Sequence, residues 1–260
     1  LYEIACEEDD TRLKTFADNQ FYGRFLELPA DVVGYNRYFG WYKEAGSAEN
    51  FGEWLDLYHN EKEKRPVCIS EYGGGGAISQ HKDNVDWGSD IDPVGVRHYE
   101  NYQSQLHEIL WKQFSVRKYL WAEFIWCMFD FASYGRAEGD TKSQNDKGLC
   151  TRERIPKDVY FFYRSVWSSE KNVYITERRH EYRNCDVPFV KVYSNADTVE
   201  LWINDVLLGR ISRRELPDDE NTVFVWENIK IKPGRKNKIC AKAYFSDGTS
   251  RTDYAFWTGK

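Results

Sequence analysis

Apolar residues keep two different rhythms in this 260-residue chain, and the change of rhythm near Ser168 constrains the fold more than any single motif. Before it, strand-like and helix-like segments alternate. Residues 1–8 read as the end of an amphipathic helix and 11–16 as a short strand, while 31–36 forms a second strand ending in polar Asn36. Phe51, Trp54, Leu55 and Tyr58 recur at helical spacing within 51–64. Pro66-Val67-Cys68-Ile69-Ser70 reads as a buried strand that runs into Glu71. Residues 99–114 are again helical, 119–131 are so apolar that an edge strand is not expected, and 156–167 reads as a helix with proline in its first turn. Strand, helix, strand, helix predicts a parallel sheet with helical crossovers.

Beyond Ser168 no helical pattern of useful length is left. Residues 189–193, 198–203, 207–211, 222–231, 238–244 and 252–257 read as strands. The turns between them are supplied by 195–197, Asn204-Asp205, Pro217-Asp218-Asp219, Pro233-Gly234 and 246–248. That layout predicts an immunoglobulin-like β-sandwich. The expected organisation is α/β plus all-β, with domains at 1–168 and 169–260 joined around 168–172.

Composition removes several function classes. A net charge of −6 argues against a nucleic-acid partner, whose phosphates call for clustered Lys and Arg. No apolar run approaches the roughly 20 residues of a membrane span, so a soluble protein is expected, with periplasm and cytoplasm left open. Aromatic residues make up 17% of the chain, and their flat faces suit sugars as well as cores. The six Cys lack any Cys-x-x-Cys pair and are expected to be free, mostly buried thiols. The chain opens at Leu1 and has neither an initiator Met nor a secretion signal, so it is expected to be processed or a piece of something longer.

In parallel α/β sheets and barrels, reactive groups collect at the carboxyl ends of strands. Asn36 to Tyr38, Glu71 and Asp130 hold such places, and Asp18 with Asn19 follows its strand closely. Glu71 stands out because Tyr72 and four glycines, Gly73 to Gly76, follow it and let the backbone turn beside a ligand. By position alone, a carboxylate that merely caps a loop is as good a reading.

The motifs then become recognisable. Gly34-Tyr35-Asn36-Arg37-Tyr38-Phe39-Gly40-Trp41-Tyr42 resembles the Asn-x-Tyr-x-Gly-Trp-Tyr segment of glycoside hydrolase family 2, and Arg65 to Gly73 resembles its nucleophile segment. Phe124 to Phe131 resembles the last barrel strand, and Asn145 to Leu149 with Arg154 to Asp158 the loop and helix that close the barrel. Tyr193 to Ala196 and Val199 to Asn204 resemble the sandwich that follows in β-galactosidases. The matches keep the family's order and cover most of the chain. The resemblance implies a partial (β/α)8 TIM barrel, strands five to eight, followed by the sandwich.

It also implies roles. Glu71 becomes the nucleophile of a retaining mechanism, Tyr38 the phenol that steadies it, and Trp126 an aromatic at the sugar site. Asn36 and Asp18 are softer candidates for sugar hydroxyls. Asn145 and Lys147 fit the Asn-x-Lys pair with which the family's glucuronidases hold the substrate carboxylate. Asp146 would weaken an anion site, however, and Asp146 to Leu149 with 70–81 look more galactosidase-like. A neutral β-galactoside is therefore favoured, and a glucuronide is the alternative. His81 reads as structural.

The second carboxyl of a retaining pair is not found. The family takes it from an Asn-Glu pair ending barrel strand four, and Asn60-Glu61 lies only ten residues before Glu71 with no strand ahead of it. The acid/base is expected upstream of Leu1. The chain alone is therefore expected to be inactive and to need the missing N-terminal half of the enzyme or self-association. No carboxylate cluster calls for the magnesium or sodium that some members bind, and no cofactor is indicated. From a different class, a non-catalytic carbohydrate-binding or interaction module is the competing reading.

Overall fold

The computed structural model describes residues 1–19, 26–217 and 221–260, so the Asp218-Asp219 part of one expected turn lies outside it. The chain divides into two compact units, Leu1–Gly74 with Ile109–Met128, and Gly75–Glu108 with Phe129–Lys260.

The first unit is built on a four-stranded parallel sheet. A short helix α1 (Tyr2–Glu8), none of whose residues is buried, precedes β1 (Ala17–Asp18) and β2 (Val33–Asn36). Helix α2 (Phe51–Leu57) continues into a wider turn over Tyr58–Lys62 and leads to β3 (Val67–Tyr72). Helix α3 (Glu100–Ser115), which begins in the second unit, then feeds β4 (Leu120–Ile125). The sheet order β1-β2-β3-β4 is the order of the chain. Val33, Val67 and Ile69 carry no exposed surface, and Phe51, Leu55 and Leu110 are equally buried. Phe39 stacks on Phe51 at 4.4 Å, and Phe114 meets Phe51 edge-on at 5.1 Å.

Two expectations are corrected here. The first strand lies at Ala17–Asp18 rather than 11–16, because parallel pairing with Gly34 and Tyr35 decides where a ladder can form. The apolar run 119–131 does supply an edge strand, β4, with Trp121 43% and Phe124 51% exposed. An apolar run records that something covers a strand, and within this sheet nothing lies beyond β4.

The second unit adds a small hairpin, β5 (Phe131–Ala132) with β6 (Gln144–Asn145), and helix α4 (Asp158–Trp167). Lys157 caps α4, so Pro156 stands just before the helix rather than in its first turn. Eight strands follow: β7 (Val173–Ile175), β8 (Tyr182–Arg183), β9 (Asp186–Ser194), β10 (Thr198–Ile203), β11 (Val206–Ser212), β12 (Val223–Lys230), β13 (Lys236–Tyr244) and β14 (Ser250–Gly259). They form a five-stranded sheet, β11-β10-β13-β14-β8, and a three-stranded sheet, β12-β9-β7. Alternate residues of β10 and β13 point inward, and both sheets contribute to one apolar cluster that includes Val190, Val192, Phe224, Leu201, Ile239, Ala241 and Trp257. Trp226 joins that core, whereas Trp202 is half-exposed.

No described helix is long and apolar enough to cross a membrane. All six cysteines are free, but only Cys68 and Cys150 are buried.

Candidate active site

In the first unit, the carboxyl ends of β2 and β3 come together. The parallel register sets Asn36 opposite Glu71, and the Arg37 N–H donates to the Glu71 carbonyl at 2.8 Å. Two residues on, the Tyr38 hydroxyl donates to Glu71 Oε2 at 2.6 Å. Burial, then the hydrogen bond and charge of Glu71, push the Tyr38 phenol well above its ordinary value. The phenol therefore keeps its proton and serves as a donor. Asn36 Oδ1 accepts the Ser70 hydroxyl at 2.7 Å, which leaves its amide group pointing elsewhere.

Asp18 has a different environment. It is buried with Arg37, whose Nη1 donates to the Asp18 carbonyl at 2.7 Å and whose Nη2 lies 3.6 Å from its carboxylate. That arrangement supports the ends of β1 and β2. Trp126, just past β4, is half-buried, and its N–H donates to the Tyr72 carbonyl at 3.0 Å. The Trp126–Cys127 peptide is cis.

In the second unit, the segment Asn145 to Gly148 is tied down at every residue. Asn145 Oδ1 accepts the Lys147 N–H at 3.0 Å. The Asp146 carbonyl accepts the Gly76 N–H at 3.1 Å and Lys157 Nζ at 2.8 Å. Asp130 Oδ1 accepts both the Gly148 N–H and Lys157 Nζ at 2.8 Å. A Cβ on Gly148 would come within 2.2 Å of the Asp130 nitrogen and 2.4 Å of the Cys150 oxygen, so only glycine fits. Burial raises the Asp130 carboxyl to about 6 although Lys157 pulls it down. Lys147 is only 1% exposed. The Asp146 carboxylate lies 2.8 Å from His98 Nδ1.

The His81 side chain is 6% exposed, with Nε2 at 2.9 Å from a Glu100 carboxylate oxygen. Asp83, Glu177 and His180 are close enough to hold a metal ion. Arg183 already spans that cluster, 2.6 Å from Asp83 and 2.9 Å from Glu177, so a cation would have to displace a guanidinium.

With this geometry in hand, residues 1–172 match the family described as Glycosyl hydrolases family 2, TIM barrel domain. The chain belongs to glycoside hydrolase family 2. Residues 187–251 match a domain of unknown function, DUF4982. Among family relatives, the β-glucuronidase of Bacteroides fragilis is 34% identical over 236 residues, covering 90% of this chain and 32% of the relative. The structure of an FMN-binding β-glucuronidase from Facaelibacterium prausnitzii L2-6 is 33% identical with a TM-score of 0.85, covering 99% of this chain and 37% of that one. A Bacteroides fragilis structure assigned provisionally as a β-galactosidase is 28% identical with a TM-score of 0.86, covering 99% and 37%. The chain thus spans about a third of the length of these family 2 proteins.

Sequence reasoning picked out Asn36, Tyr38 and Glu71, which the structure brings to neighbouring strand ends, and Asn145 with Lys147, which share one tethered loop. It passed over His98 and Lys157. Nothing local marks either residue, since their partners Asp146 and Asp130 lie 48 and 27 positions away.

Proposed function

We propose that this chain carries the nucleophile of a retaining family 2 hydrolase that cleaves β-glucuronides. In this reading residues 1–168 are strands five to eight of the barrel with their helices, and 169–260 an immunoglobulin-like sandwich. Glu71 attacks the anomeric carbon and forms the glycosyl ester, while the leaving oxygen takes a proton from a second carboxyl about 5 Å away. Water then cleaves the ester, giving up its proton to that second group. The second carboxyl comes from a further part of the enzyme that pairs with the open edges of β1 and β4.

The observation that carries the reaction type is the 2.6 Å bond from Tyr38 to Glu71, a donor held on the candidate nucleophile at the end of a parallel strand. Trp126 offers a flat apolar face to the pyranose, and Asn36 its amide group to a hydroxyl. For the substrate, Asn145 and Lys147 hold the uronate carboxylate. The electrostatic case for a neutral sugar rested on Asp146, and that carboxylate is engaged by His98. Relatives named as β-glucuronidases support the same choice. A galactoside is the second reading, favoured by the similarity to the provisional β-galactosidase structure.

The test is intact-mass spectrometry of the complete enzyme incubated with activated 2-deoxy-2-fluoro-β-glucuronide and, separately, the matching galactoside. These reagents need no acid catalyst to load the nucleophile. A glucuronyl adduct that maps to Glu71 and vanishes in Glu71→Gln is expected. A galactosyl adduct alone would establish the second reading, and no adduct from either would leave the chain a binding module.

A further inference from the structure

We infer that His98 is a positioning residue that sets substrate charge selectivity, by engaging the carboxylate that this chain carries in the middle of its Asn145–Lys147 loop and turning it away from the substrate. The inference rests on the glucuronide reading above and asks how an anion site tolerates Asp146.

His98 is fully buried, and each ring nitrogen faces an oxygen atom. Nδ1 lies 2.9 and 2.8 Å from the two Asp146 carboxylate oxygens, and Nε2 lies 2.9 Å from the Asp92 carbonyl oxygen. The ring is thus held at both nitrogens, with Nδ1 committed to the Asp146 carboxylate. Burial alone would raise the Asp146 carboxyl, but the hydrogen bond and charge of His98, aided by Lys157 and Lys147, more than reverse this and keep it ionised.

The surroundings are shaped for this pair. The His98 N–H donates to Gln80 Oε1 at 2.8 Å and its carbonyl accepts the Ala77 N–H at 2.8 Å, so the backbone is held on both sides. Gly139, with φ +62°, gives the pair room, because a Cβ there would come within 2.3 Å of Asp146 Oδ2 and 3.6 Å of His98 Nδ1. His98 is set against Asp146 and Lys157 against Asp130, beside the loop that carries Lys147. Without His98 the Asp146 carboxylate loses that partner and repels a uronate in a low-dielectric setting.

The experiment measures kcat/KM of the complete enzyme for an aryl β-glucuronide and for the uncharged aryl β-glucoside. The ratio of the two is the readout, because a general folding defect lowers both rates together. His98→Asn should lower the glucuronide-to-glucoside ratio about tenfold or more, expressed mainly in the glucuronide KM. His98→Asn with Asp146→Asn, which removes the carboxylate together with its partner, should restore most of the ratio, and Asp146→Asn alone should keep it. If His98→Asn does not fold, the double variant still decides: a folded double variant that has lost the selectivity overturns the inference. So does a folded His98→Asn with an unchanged ratio. A wild-type enzyme that shows no preference for the glucuronide refutes the substrate reading itself, and this inference with it.

Discussion

Asp130 offers a direct contest between burial and ion pairing. Its carboxyl is 4% exposed and lies 2.8 Å from Lys157 Nζ, which is fully buried. Burial nevertheless dominates, and the group moves from 3.8 to about 6 against the pull of Lys157 and the Gly148 N–H. A carboxyl raised on folding contributes stability that is complete below its unfolded value and is lost as pH rises through its folded one. The window is therefore about pH 4 to 6. A shift of about 2 units corresponds to about 3 kcal/mol of stability lost across it. Asp130→Asn keeps an acceptor for the Gly148 N–H and removes this titration. Relative to the wild type, the variant should gain about 3 kcal/mol between pH 4 and pH 7, or roughly 6–12 °C in Tm for a chain of this size. Thermal unfolding of both proteins by circular dichroism at matched pH measures that difference, in which the other titrating groups cancel. If the variant instead loses ground as the pH rises, the Lys157 pairing outweighs desolvation and the reasoning fails.

Two further predictions concern the active site and its frame. Tyr38→Phe removes the donor to Glu71 and should lower kcat of the complete enzyme about 100-fold with a smaller change in KM, and a change within twofold in steady-state assays would refute the role of Tyr38. Gly148→Ala forces a methyl group onto the backbone of Asp130 and Cys150 and should cost about 1–3 kcal/mol or more, read as a lower Tm. Gly135→Ala meets no atom within 4 Å and strains only its φ of +85°, so it should cost about 1 kcal/mol; equal losses would show that crowding at Gly148 is not the cause.

Much of the fold could be read from short-range pattern. Val67 to Ser70 announces a buried strand, and β3 covers Val67–Tyr72. The helical spacing through 99–114 gives α3 to within a residue at each end. The alternation along 198–203 and 238–244 recurs in β10 and in most of β13. Residues 11–16 mislead because a two-strand ladder forms where a partner lies, and Pro156 misleads because a helix start depends on which residue takes the cap. The apolar run 119–131 is right about strand character and wrong about place.

For the site, the sequence alone placed Asn36 and Glu71 at strand ends, because periodicity and the glycines after Glu71 are local properties of the chain, whereas Asp130, expected at a strand end too, lies five residues beyond β4. It also carried the motifs that place the chain in family 2. Only the tertiary structure decided how the charges are balanced. Asp146, read in line, sits beside Lys147 and looks like an obstacle to an anion. Folding brings it to His98, 48 residues away, and its charge is answered there. Desolvation makes every buried charge depend on the partner that topology delivers, and no spacing along the chain encodes that partner.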